Sequence, residues 1–210
     1  MKRVNLLLTG AIVLLMSSCR KDVYEELSEA ESRVYITRYD STANFASYTT
    51  FRIADSVRVI QNGQPIRRAY TAYDSSLLFS IRQAMIQRGY RLQTNTAIKP
   101  DIGINVARIN NTYSGVVSYG NYWGDYLGYW DPYYWGYGGY GYNFPYSFST
   151  YTVREGALSI DMLDLKNPLT SSNSLNTIWT GLGRGSGIFE TANINETVQA
   201  LFNQSPYLRQ

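Results

Sequence analysis

The stretch ALSIDMLDL, residues 157–165, decides the fold. Leu158, Ile160 and Met162 alternate with Ser159 and Asp161, a period of two that an extended strand carries and a helix does not. The pattern predicts a strand with one apolar face and a solvated opposite face bearing Ser159 and Asp161. Towards the C-terminus, residues 177–183 read as another strand around Trp179, with Gly181 and Gly183 placed for a neighbour to pack closely. Asn193 with Glu196 then predicts an N-cap and capping box for a helix whose stripe is Ile194, Val198, Leu201 and Phe202, closed by Pro206.

Towards the N-terminus, residues 101–109 give a strand with Ile102, Ile104 and Val106 on one side. Asp74 is the expected N-cap of a helix running to about residue 88, with Leu77, Leu78, Ile81 and Met85 on one stripe and Gly89 just past its end. Residues 34–39 and 49–53 read as strands, Phe51 and Ile53 sharing a face. Val57 and Val59 lead into Asn62–Gly63, a hairpin signal, and Pro65 makes the returning strand an edge. Strands dominate, and several of them separate the two helices. The expected class is therefore α+β: an antiparallel or mixed β-sheet with two amphipathic helices packed on one face.

Outside this body, the first residues, MKRVNLLLTGAIVLLMSSC, set Lys2 and Arg3 before an apolar run and small residues before Cys19. The run from Leu6 to Met16 spans about 16 Å as a helix, half of a ~30 Å hydrocarbon core. It resembles a bacterial lipoprotein signal, cut before Cys19 and followed by acylation there with fatty chains such as palmitate. Several acyl chains hold a protein on a bilayer where a single chain binds only marginally. Cys19 is also the sole cysteine, so no intramolecular disulfide competes for it. The expected organisation is a signal peptide over 1–18, the lipidated cysteine and a polar, acid-rich tether over 19–33, and one domain over 34–210. Arg20 stands where the sorting aspartate of inner-membrane lipoproteins would be. The expected address is hence the outer membrane of a Gram-negative envelope, on the periplasmic face sooner than the cell surface.

Loss of residues 1–18 removes Lys2 and Arg3 and no acid, so the formal charge falls from +3 to +1. A nearly neutral chain argues against a nucleic-acid partner. Catalytic chemistry is poorly supplied. With no histidine and no second cysteine, triads, His-assisted thiols and His/Cys zinc sites are ruled out. On one strand Asp161 and Asp164 point to opposite faces, while Glu155 and Asp161 share a face about 20 Å apart. A glycosidase pair wants roughly 5–9.5 Å. The expectation is no enzyme, no catalytic residue, no cofactor and no metal.

Residues at about 113–150 form a long Gly/Tyr-rich insertion with no helical or strand period. Its GYGGYG run, residues 136–141, copies the dinucleotide fingerprint spacing without the strand and helix that the fingerprint needs. Three readings stand: a tolerated mobile insertion, a self-association surface, or a glycan- or peptidoglycan-binding surface. In the last, Trp123, Trp130 and Trp135, with Tyr133 and Tyr137, would contact an envelope polysaccharide or a protein partner.

The segments YDSTANFASYTTFRI, SIRQAMIQRGYRL, PDIGINVARIN, REGALSIDMLDLKN and NTIWTGLGRG, in that order, resemble the domain-of-unknown-function family DUF4136. The resemblance spans about residues 39–207. It implies a bacterial envelope lipoprotein, often with a Gly/Tyr-rich insertion before the strand near Gly156, and brings no catalytic residues. The role expected is structural or interaction-based, with the oligomeric state open.

Overall fold

The structure, a computed structural model, describes residues 32–61, 64–110, 116–118, 131–145, 150–152 and 156–210. Cys19 and its leader, most of the tether, Asn62–Gly63, Trp123, Trp130 and Glu155 lie outside the described residues.

The sheet is mixed and its middle is β10 (Ala157–Asp164). It pairs antiparallel on one side with β11 (Ser174–Arg184) and on the other with β6 (Ile102–Asn110). Beyond β11 lies β1 (Val34–Tyr39), also antiparallel. The far side of β6 has two partners in succession. Its first half takes β2 (Thr50–Ile53) and its second half β3 (Val57–Gln61), both parallel. Outside these run β5 (Arg91–Leu92), parallel to β2, and β4 (Gln64–Ala69), antiparallel to β3. Among the described residues β4 pairs with β3 alone, so the proline-bearing strand is an edge, as Pro65 requires. A separate pair, β7 (Val116–Ser118) with β9 (Thr150–Thr152), falls within the insertion.

Helices α1 (Ala72–Gln87) and α2 (Ile194–Asn203) cover one face. There the even residues of β6 and β10, Ile102, Ile104, Val106, Leu158, Ile160 and Met162, meet Leu77, Ile81, Met85, Val198, Leu201 and Phe202 in one buried cluster. Trp179 lies in it, seated over Gly181, where a Cβ would collide with the indole.

Both helix starts differ from the expectation. Thr71, not Asp74, is the N-cap of α1: its hydroxyl accepts from Asp74 N at 3.3 Å, while Asp74 Oδ2 accepts from Thr71 N at 2.8 Å. Asp74 is thus the third-position partner of a capping box. At α2 a 3-10 turn, Thr191–Asn193, runs straight into the helix. Asn193 already has helical angles and gives its Nδ2 to Gly187 O, so no capping box forms.

Ser159 and Asp161 are likewise not solvated: every residue of β10 is buried, Asp161 being 1% exposed. The second face carries its own cluster, with Ala107, Ile109, Ala157, Leu163, Leu175 and Leu182 in the sheet. Rings of the insertion cover it. Asp131 caps a 3-10 turn, Pro132–Trp135, by accepting from Tyr133 N, and the chain then enters β8 (Gly141–Asn143), parallel to β11. Trp135 is the plug, 5% exposed. It lies against Gly103, where a Cβ would come within 3.1 Å of its ring. This part of the insertion is built into the fold instead of looping freely from it.

Candidate functional site: an arginine-lined cleft at the sheet edge

The switch of β6 from partner β2 to partner β3 leaves residues 54–56 bridging the two strands, with Ala54 N still donating to Ile104 O at 2.9 Å. Outside that bridge β5 and β4 do not meet, and a cleft of about 710 Å³ opens between them and α1. That volume falls within the ~300–1,000 Å³ of small-molecule sites. Ser75, Leu78, Phe79 and Arg82 form its helical wall, a spacing of three, four and seven that puts all four on one helix face.

Three arginines line the cleft, Arg52, Arg68 and Arg82, against one acid, Asp55. Arg52 is a brace: its Nε donates to Gln93 O at 3.2 Å and its Nη2 to Ile98 O at 2.6 Å, holding the loop after β5. Arg68 lies over the Tyr134 ring, 5.2 Å from its centroid. Tyr134 in turn accepts at its hydroxyl from Asp55 N, tying the aromatic segment to the cleft wall. Burial, foremost, pushes the Tyr134 hydroxyl pKa up, so it stays neutral there. Arg82 Nε is buried without a hydrogen-bond partner. Two aromatic rings stand in water beside these cations, Tyr70 at 68% and Phe79 at 57% exposure. A buried donor without an acceptor carries a desolvation cost. The arrangement suits an anionic ligand with flat apolar surfaces.

Of the aromatic residues singled out in the sequence, the three among the described residues do not gather here. Trp135 is a core residue whose Nε1 donates to the buried Asn105 Oδ1 at 3.0 Å. Tyr137 is half-buried, donating to Leu165 O at 2.7 Å with Lys99 Nζ 3.9 Å from its ring centroid. Tyr133 is open to water. The cleft residues gave little signal. Arg52 and Arg82 stand in segments that carry the family resemblance, yet nothing there marks them as ligand groups, and with Arg68 they meet only through the hairpin and helix packing. Phe79 does carry a signal in the sequence, an aromatic off the core stripe of α1 that the stripe alone does not explain.

Fold and cleft define an α+β protein with a mixed sheet, helices on one face, an aromatic cover on the other and a basic recess at the edge. The chain belongs to DUF4136, a domain of unknown function, whose family model matches residues 36–207. It is similar to a DUF4136 family protein of Bacteroides thetaiotaomicron VPI-5482, known from a crystal structure. The two are 29% identical with a TM-score of 0.70, over 85% of this chain and 98% of that one. A PelC dodecamer from Paraburkholderia phytofirmans is matched at 8% identity and a TM-score of 0.39, over 85% of this chain and 99% of that one. No curated protein matches the chain.

Proposed function

We propose that this is a lipid-anchored protein of the bacterial outer membrane, facing the periplasm, whose domain holds an anionic partner in the edge cleft and performs no catalysis. The observation that carries the binding role is the charge imbalance of the cleft, three arginines to one aspartate, with Arg82 Nε lacking an acceptor. The anchor is supported by the leader and Cys19. Among the described residues no helix is long and apolar enough to cross a membrane, so attachment in this reading rests on acyl chains. Absence of histidine supports holding over turnover.

Cells fed labelled palmitate test the anchor. The wild-type chain should carry label and sediment with outer membranes, and Cys19→Ala should carry none. An unlabelled, freely soluble native product would overturn it. For the cleft, binding of an anionic polymer should weaken in Arg82→Gln, and an unchanged isotherm removes the cleft from the reading.

A further inference from the structure

We infer that the ligand of the cleft is an acidic saccharide, a run of sugars bearing ring carboxylates, with Arg82 holding the carboxylate and Phe79 and Tyr70 facing the sugar rings. This deepens the reading of the cleft as the recognition site and rests on it. Arg82 follows Phe79 by three residues on α1, so cation and ring are neighbours on one helix face. A uronic acid has the matching layout: its carboxylate is attached directly to the ring whose C–H face stacks on an aromatic. The donor also matches, because a guanidinium takes a carboxylate through two parallel hydrogen bonds. Hydroxyls of Ser75, Thr94 and Thr96 line the same cleft and suit the remaining sugar hydroxyls.

The neighbouring chemistry disfavours other anions. Inorganic phosphate or a lipid headgroup would satisfy Arg82 but leave Phe79 and Tyr70 without a surface to cover. An acidic peptide adding to the sheet edge needs free backbone groups there. At the bridge between β2 and β3, Ala54 N is bonded to Ile104 O and Asp55 N to the Tyr134 hydroxyl.

The test is calorimetric titration of the detergent-solubilised full chain with four probes: an oligogalacturonate, a neutral galactose oligomer of equal length, polyglutamate of equal charge, and inorganic phosphate. Oligogalacturonate should bind at least tenfold tighter than the other three and lose affinity as salt rises. Arg82→Gln and Phe79→Ala should each weaken it at least tenfold with unchanged melting temperature. The neutral oligomer needs no variant, so the comparison stands even if one of these fails to fold. Equal or tighter binding of polyglutamate or phosphate, still sensitive to Arg82→Gln, would overturn the saccharide while leaving the cleft as a recognition site. Indifference to Phe79→Ala would also overturn it. If no probe responds to Arg82→Gln, the cleft reading falls as well.

Discussion

Asp101, at the entry to β6, accepts three hydrogen bonds at one oxygen: from Thr49 N at 2.7 Å, Thr49 Oγ1 at 2.8 Å and Thr50 N at 3.0 Å. Burial alone would push its pKa up. The Thr49 and Thr50 bonds, with the Lys166 charge, outweigh burial and hold the carboxyl below its ordinary value of 3.8. A depressed folded value means the charged form stabilises the fold, fully so above about pH 4. As acid is added the unfolded chain protonates first, so unfolding takes up a proton and stability declines. The contribution is gone below the folded value. Asp101→Asn should therefore be less stable than wild type at pH 7, with the gap closing as the pH is taken down from about 4. Urea midpoints measured across that range decide it, and a gap that stays constant would place the effect of Asp101 in shape instead of charge.

At the scale of elements, α1 is fixed to the sheet by one buried pair. Arg108, on the helix-covered face of β6, donates from Nη2 to Asp74 Oδ2 at 3.2 Å and brings Nε within 3.0 Å of Oδ1. The second approach is an ion contact without hydrogen-bond alignment. Asp74 is fully buried and also closes the capping box, so one carboxylate serves both the helix start and its docking. Arg108→Met would strand that charge in the core and should cost about 3 kcal/mol, the lower end for a broken buried pair, because Thr71 still donates to it. Adding Asp74→Asn should restore at least about 1 kcal/mol in a double-mutant cycle by urea unfolding.

The same element explains what the sequence made legible. Periodicity shows which faces of α1 and β6 are apolar, and those faces are buried, although β6 is covered on its other face as well. It does not show which of two capping residues, Thr71 or Asp74, takes which role, since both serve one box. Nor does it show that Arg108 turns inward, because an arginine in a strand reads as solvent-facing until the fold brings its partner, Asp74, from 34 positions earlier in the chain. The residues of the cleft share that difficulty: Arg52, Arg68 and Arg82 come together through tertiary packing alone. The aromatic cover was illegible for another reason. It buries rings through a 3-10 turn, and so short a turn leaves no repeat to detect.

For the whole molecule, burial of β10 on both faces has a thermodynamic consequence. A strand packed on one side tolerates loss of the other side's cover, whereas here the helices and the aromatic segment both lean on the same eight residues. Removing either cover exposes apolar surface of the shared strand, which couples the two clusters into one cooperative unit. Trp135→Ala, on the aromatic side, and Phe202→Ala, on the helical side, should each cost about 3–5 kcal/mol, the range for truncating a buried aromatic. Both should move one common transition. Far-UV circular dichroism, dominated by the helices, and tyrosine near-UV signals, weighted towards the aromatic cover, should then give coincident urea curves in wild type and in both variants. A Trp135→Ala protein whose near-UV signal melts early while its helices hold would mean that the cover is an independent layer, and that the sheet core stands on its helical side alone.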